Sequence, residues 1–236
     1  MSIALSIILI LLELWAFRMV MHVKWKLLIF YTQLSNMAAF FSCIALLLAG
    51  GEAGWVRAFR YLSVCMMTMT ALVTAFILVP MGGDPKVLLW SGSGLYHHVV
   101  CPVINFISYV FFEKHVNMIL LPVLVTLAYG LIMLWLNWKR IVDGPYPFFR
   151  VHNQSKLATT VWMTALVGVI ALISYGIVAF AWRIRTPVRN LNRRIAPLER
   201  SHCSFRLTRS GRFLLRRIAH RATASFAPPS TARQCW

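Results

Sequence analysis

The fold is decided by the first apolar run of the chain, IALSIILILLELWAFRMVM, at residues 3–21. A run of about 20 predominantly apolar residues is long enough to cross the hydrocarbon core of a membrane as an α-helix. It lacks a basic segment before it and a small-residue cleavage site after it, so we interpret it as a retained helix and not a signal peptide. Five further apolar runs follow, at residues 28–50, 59–79, 95–112, 118–137 and 157–182.

The composition agrees with six spans, since 59% of the residues are hydrophobic and 13% are charged. Only helices and closed barrels satisfy every backbone polar group in lipid, and these runs lack the alternation of barrel strands. We therefore predict an all-α membrane protein, a bundle of six transmembrane helices within residues 1–186. This composition excludes the soluble globular class.

The basic charge of the chain is concentrated in its tail, residues 187–236. Of the 24 Lys and Arg residues, 13 lie from Arg183 onward, and all 13 are arginine. We interpret this tail as disordered, or as the product of a frameshift or read-through in GC-rich DNA and not native coding sequence. A short basic helix at residues 207–219 on the membrane surface is an alternative. An RNA- or lipid-binding arm is disfavoured, and no nucleic-acid partner is expected.

The five cysteines show no metal-binding pattern. Three of them lie inside apolar runs, and no CxxC pair is present. This spacing indicates neither a zinc site nor a disulfide framework. We expect the buried thiols to act as small hydrophobic groups and the protein to need no metal or cofactor.

Ionisable groups inside the apolar runs are the first candidate functional groups, because such groups are costly in lipid. His97 and His98 open the fourth run, with Pro102 one turn later. Glu13 lies near the middle of the first run, and we expect it to be neutral or to face the bundle interior. One histidine at the headgroup level and the other packed against a neighbouring helix is the alternative reading of the pair.

A polar stripe runs along one face of the second span. Thr32, Ser35 and Asn36 fall at positions i, i+3 and i+4, which share a helical face. Such a stripe must face protein or water, and its simplest role is to hold helices together, at about 0.6–2 kcal/mol per hydrogen bond. The fourth span has a second stripe that carries His98 and Asn105.

The number of spans predicts which of these side chains meet. With six spans, the first, third and fifth joints between them lie on one side of the membrane. The turn at residues 143–149, in the fifth joint, is expected to lay its aromatic rings on the interface. We predict a polar cavity near this side of the membrane, lined by Thr32, Ser35, Asn36, Thr74, His98 and Asn105.

Four short motifs carry a family resemblance over about residues 10–182. They are YTQLSN at residues 31–36, Arg60-Tyr61, His98-x-x-x-Pro102 and DGPYPF at residues 143–148. In this order they resemble bacterial six-pass membrane proteins related to the androgen-induced and androgen-dependent membrane proteins of animals. The resemblance implies an intramembrane hydrolase in the bacterial cell membrane, in contact with membrane lipid. It further implies a fatty-acyl ester substrate of the kind the animal members cleave, esters of hydroxy fatty acids.

The resemblance also assigns roles to residues. Thr32 matches the nucleophile and His98 the histidine partner, with His97 an alternative for that partner. A threonine hydroxyl needs a base within hydrogen-bond reach, and a neutral imidazole suits that task. No carboxylate is expected to orient the histidine, so we predict a dyad and not a triad. The residues expected to support catalysis or bind substrate are Ser35, Asn36, Thr74, His97, Asn105 and Tyr146.

A non-enzymatic membrane protein, either a small transporter or a structural partner, is the alternative function. In that case Thr32 and Asn36 hold helices together and His98 anchors the fourth span at the interface. Proton-coupled transport needs an ionisable relay at the middle of the membrane, where only Glu13 lies. The basic residues of the joints favour both termini outside, whereas the arginine-rich tail and the resemblance favour both inside, and we expect the latter.

Overall fold

The computed structural model describes residues 1–21 and 27–184. Within these ranges, six helices are long and apolar enough to cross a membrane, and no β-strand is present. The six are α1 (Ser2–Val20), α2 (Tyr31–Ala49), α3 (Gly54–Leu78), α4 (Gly92–Phe112), α5 (Leu120–Trp138) and α6 (Lys156–Ile184). The predicted all-α bundle of six membrane-spanning helices is confirmed. The predicted tail, residues 187–236, lies outside the described residues.

Helix α3 is the central helix of the bundle. It packs against α2, α4 and α5, and the hydroxyl of Tyr61 donates to the carbonyl of Ser174 in α6 at 2.9 Å. In the most apolar stretch of α3, 56% of the residues are buried inside the protein. The corresponding share is 22% in α1 and 22% in α6. The lipid-facing surface therefore belongs mainly to the outer helices, and polar residues of α3 face protein.

Two of the spans contain a wide π-helical turn. In α3 it is the C-terminal turn, Thr74–Leu78, and in α4 it is Tyr96–Val100. The second has a clear cause, since Pro102 has no N–H to donate to the preceding turn of α4. The N–H of Cys101 bonds to the carbonyl of Tyr96 instead. Turns of this kind are rare and occur frequently at functional sites.

The interior on the side of the second and fourth joints is held by an ion pair. The guanidinium of Arg60 in α3 donates two hydrogen bonds, of 2.9 and 2.7 Å, to the carboxylate of Glu113 just after α4. Both side chains are buried, with 1% and 6% of their surfaces exposed. Ser108 and Ser42 complete the hydrogen bonds of the pair. The Arg60-Tyr61 motif is thus explained by packing on the side opposite the predicted cavity.

The aromatic rings of the fifth joint fold inward against the helices. The rings of Tyr146, Phe148 and Phe149 are all buried, so the prediction that they would lie on the interface is wrong. Phe149 packs on Tyr129 of α5, and Phe148 packs on Trp162 of α6. The rings turn inward because they fill the space between helix ends, where burial removes them from water.

Candidate active site

A cavity lies between α2, α3, α5, α6 and the fifth joint. Its walls are mostly methionine, leucine, valine and aromatic side chains, and no charged side chain of the described residues lines it. Its polar groups are hydroxyls, those of Tyr31, Thr32, Thr70, Thr74, Thr126, Tyr129 and Tyr146. Such a space suits an apolar ligand that carries few hydrogen-bonding atoms.

Thr32 lies in the first turn of α2 and contacts the fifth joint. Its backbone N–H donates to the hydroxyl of Tyr146 at 3.4 Å, and its Oγ1 is 3.3 Å from the same oxygen. The first N–H groups of a helix have no acceptor within the helix, so Tyr146 supplies one. Burial raises the pKa of Tyr146, against a smaller lowering by the hydrogen bonds from Thr32. The phenol therefore stays protonated at neutral pH.

His98 contacts a different threonine. Its Nδ1 lies 2.9 Å from Oγ1 of Thr74, the first residue of the π-helical turn in α3. Thr74 lines the cavity, and His98 lies behind it, partly buried. Among the described residues, His98 and Thr32 share no hydrogen bond. The imidazole thus reaches the cavity through Thr74.

A hydroxyl pair sets the register between α2 and α3. Oγ of Ser35 lies 2.9 Å from Oγ1 of Thr70. The two helices run antiparallel, so moving one turn back along α2 corresponds to moving one turn forward along α3. On α2 this turn leads from Ser35 back to Thr32, and on α3 it leads from Thr70 forward to Thr74. The two threonines therefore lie at the same level, and both line the cavity.

His98 does not line the cavity as predicted, and neither does His97; three further predicted site residues also lie outside it. Ser35 and Asn36 both donate to the carbonyl of Thr32, at 2.8 and 2.7 Å. The amide of Asn105 donates to Ser63 at 3.4 Å and to the sulfur of Met67 at 3.1 Å. None of the three lines the cavity. Buried donors take the nearest acceptor inside the bundle, which leaves these groups engaged in helix packing.

The second histidine faces α1 and α2. Consecutive helical residues point about 100° apart, and His97 accordingly lies on the other side of α4 from the cavity. Its Nδ1 is 3.3 Å from Nε2 of Gln33, and its Nε2 is 3.7 Å from a carboxyl oxygen of Glu13. A carboxylate thus lies beside His97, the alternative for the histidine partner, whereas the hydrogen-bond partner of His98 is Thr74. The expectation that Glu13 faces the bundle interior is confirmed, since it is fully buried.

Helix α5 contributes two polar side chains to the cavity that were not predicted from the sequence. The hydroxyl of Thr126 lies 2.7 Å from that of Tyr31, and Tyr129 donates to the carbonyl of Ile29 at 2.7 Å. Both bonds hold the start of α2 against α5. A usable signal was present, because Thr126 and Tyr129 are polar residues at i and i+3 in an otherwise apolar run.

No three or more His, Cys, Asp or Glu side chains in the described ranges are grouped so that they could hold a metal ion. The reactive side chains at the cavity are therefore threonine and tyrosine hydroxyls, with the imidazole of His98 behind Thr74. Comparison of the chain with protein-family models, with curated proteins and with solved structures finds no match.

Proposed function

We propose that this multi-pass membrane protein is a lipid-ester hydrolase of the bacterial cell membrane, with Thr32 as nucleophile and His98 as general base. The observation that carries the proposal is that Thr74, bonded to His98 at 2.9 Å, lines the same cavity as Thr32. A base that reaches a hydroxyl-lined apolar cavity is the arrangement that nucleophilic attack on an ester requires.

The shape and lining of the cavity favour an acyl ester as substrate. Its apolar walls offer a site for an acyl chain, and its hydroxyls lie near the membrane side on which α2 begins and α3 ends. A fatty-acyl ester would keep its chains in apolar surroundings while its carbonyl reaches the hydroxyls and water. Its few polar atoms would match the few polar atoms of the cavity.

The base acts on the nucleophile through Thr74 in this proposal. Thr74 gives its proton to Nδ1 of His98 and takes the proton of Thr32, whose oxygen attacks the ester carbonyl carbon. The leaving alcohol takes a proton back along the same path, and an acyl group remains on Thr32. Water then attacks this acyl ester while its proton passes to His98 by the same path, and the proton returns to the oxygen of Thr32, which releases the fatty acid and restores the hydroxyl.

Tyr146 is the donor best placed to stabilise the developing negative charge. Its hydroxyl lies 3.3 Å from Oγ1 of Thr32 and stays protonated because it is buried. An oxyanion that forms on the carbonyl beside Thr32 would lie within reach of this donor. Removing a single donor of this kind costs about 2.7–4 kcal/mol in the activation free energy of other hydrolases.

The test is labelling of the detergent-purified full chain with a fluorophosphonate probe, followed by mass spectrometry of the adduct. We expect the adduct on Thr32, loss of labelling in Thr32→Ala, and retention in Thr32→Ser. Thr126→Val is the matched control, because it removes another cavity hydroxyl and should label like the wild type. An unlabelled wild type, or unchanged labelling in Thr32→Ala, would reject the proposal.

A second candidate function, a non-enzymatic role, is favoured by a different observation. Hydroxyl pairs join α2 to α3 along its length, Ser35 to Thr70 at 2.9 Å and Ser42 to Ser63 at 3.1 Å. On this view the polar stripe only holds helices together. Thr32→Val would then keep the biological activity of the protein, whereas a nucleophile would tolerate serine and not valine.

A further inference from the structure

A second polar cluster lies outside the cavity, between α1, α2 and α4. The side chains of Glu13 and His97 are 0% and 2% exposed, and a carboxyl oxygen of the first is 3.7 Å from Nε2 of the second. Gln33 contacts the other ring nitrogen. Both carboxyl oxygens, Nε2 of His97 and Oε1 of Gln33 lack a nitrogen or oxygen hydrogen-bond partner within the described ranges, and the thiol of Cys101 is a weak donor beside the carboxyl. Four unpartnered polar atoms in one buried place require an explanation.

An ionised carboxylate in this position would need a counter-charge, because a lone charge inside a membrane bundle is strongly unfavourable. The guanidinium of Arg60 is bound to Glu113, and Arg18 lies on the exposed side of α1. His97 is therefore the base that can neutralise Glu13.

We propose that Glu13 and His97 form a buried proton-binding site that nothing in the hydrolase mechanism uses. At neutral pH the buried pair holds one proton. The same carboxyl and imidazole groups in water would have released it. The proton sits on the carboxyl oxygen beside a neutral ring, or on the ring, as an imidazolium beside a carboxylate. In either form the pair is net neutral, which removes the cost of a buried charge.

Gln33 is suited to both forms of the pair. With a neutral ring its amide N–H donates to Nδ1, as the 3.3 Å contact indicates. With a charged ring, Nδ1 carries a hydrogen, and a turned amide would present Oε1, which has no other partner among the described residues. An amide that can either donate or accept keeps Nδ1 paired in both forms.

In the part of the chain that the structure describes, no other titratable group near the pair supplies its counter-charge. On α4, His98 is bonded to Thr74, and Tyr96 and Cys101 border the cluster. On α2 the nearest is Cys43, and the residue that α3 contributes there is Met67. The ring of Phe17 in α1 covers His97, with 5.3 Å between the ring centroids. The proton is therefore assigned to the pair itself.

The test is infrared and NMR spectroscopy of the purified full chain at neutral pH. The chain has only six acidic side chains, so the carbonyl stretch of a protonated carboxyl is readily assigned. We expect the protonated carboxyl of Glu13, seen as this band, and the imidazolium of His97, seen in its ¹⁵N signal, to add up to one proton per chain. Glu13→Gln should remove the band and leave His97 neutral, whereas Glu52→Gln, which changes an exposed carboxylate, should alter neither signal.

A second variant makes the outcome independent of where the proton sits. In His97→Gln the carboxyl of Glu13 loses the one base that contacts it among the described residues, so the protonated-carboxyl band should reach one per chain at neutral pH. A wild type with an ionised Glu13 and a neutral His97 would overturn the proposal. An ionised Glu13 in His97→Gln would overturn it as well. Neither result depends on whether the protein hydrolyses esters.

Discussion

Thr74 of α3 and His98 of α4 join two π-helical turns through one contact, Oγ1 to Nδ1 at 2.9 Å. A π-helical turn departs from the regular hydrogen-bond ladder, and two such turns rarely meet by chance. The side chains that bridge them lie at the edge of a cavity that also contains Thr32. The bridge therefore links the packing of α3 and α4 to the chemistry of the cavity.

Thr74→Val should break this bridge while preserving the shape of the side chain. We expect a loss of about 0.6–2 kcal/mol in the free energy of unfolding, the range for hydrogen bonds between membrane helices. Thr74→Ser, which keeps the hydroxyl, should recover most of it. Denaturant unfolding of the purified protein in micelles measures both variants, and a double-mutant cycle with His98→Gln isolates the pair. A coupling energy near zero in that cycle would show that the bridge contributes nothing.

The ion pair between Arg60 and Glu113 should dominate stability on the opposite side of the membrane. Because both groups are buried, removing one leaves the other without its counter-charge, which costs about 3–5 kcal/mol. Arg60→Met and Glu113→Gln should therefore each destabilise strongly, and the double variant should lose less than the sum of the two. Thermal unfolding in micelles is the measurement.

An exposed pair on the same side of the membrane provides the control. Lys114 donates to the carboxylate of Glu52 at 2.6 and 2.7 Å, with 57% and 80% of the side chains exposed. This contact lowers the pKa of Glu52, but solvent screens the attraction. Lys114→Met should leave the unfolding temperature unchanged. Equal losses from the buried and the exposed pair would contradict the role given to burial.

Gly144 should prove necessary for the inward fold of the fifth joint. A Cβ at this position would lie 2.8 Å from the carbonyl carbon of Phe149 and 2.9 Å from its oxygen. Backbone atoms cannot move aside as a flexible side chain can, so Gly144→Ala should displace the joint and cost about 1–3 kcal/mol. Gly168→Ala is the matched control, since nothing lies within 4 Å of the added carbon. It should be neutral or stabilising, because alanine favours the helix.

The sequence predicts the six helices well because each is encoded locally. A run of about 20 apolar residues has one stable conformation in lipid, whatever its neighbours are. The membrane side on which Thr32 and Tyr146 meet also follows from the number of spans, and the two residues are in contact. These features depend on the order and length of segments and not on details of packing.

Side-chain partners could not be predicted in the same way. Which histidine faces Glu13 depends on the rotation of α4, and the π-helical turn changes that rotation locally. Asn105 shares a stripe with His98 in the sequence, yet its amide bonds to Ser63 and Met67. Such choices are settled by the packing of neighbouring helices, which short-range periodicity does not contain.

Tyr146→Phe tests the contact between the fifth joint and α2. At neutral pH the variant should lose about 1–3 kcal/mol, because the buried N–H of Thr32 is left without its acceptor. Burial raises the pKa of Tyr146 in the folded protein, while the unfolded chain ionises near pH 10. Unfolding above about pH 10 therefore releases a proton, and stability present at lower pH is lost as the pH rises.

The wild type should consequently lose stability with pH more steeply than Tyr146→Phe in this alkaline range. The difference in slope should approach about 1.4 kcal/mol per pH unit, the value for one proton. Denaturant unfolding of both proteins in micelles at several pH values between neutral and strongly alkaline measures it. Parallel curves for the two proteins would mean that Tyr146 ionises at the same pH in the folded and unfolded states. The phenol would then not be buried against Thr32 in the membrane-embedded protein.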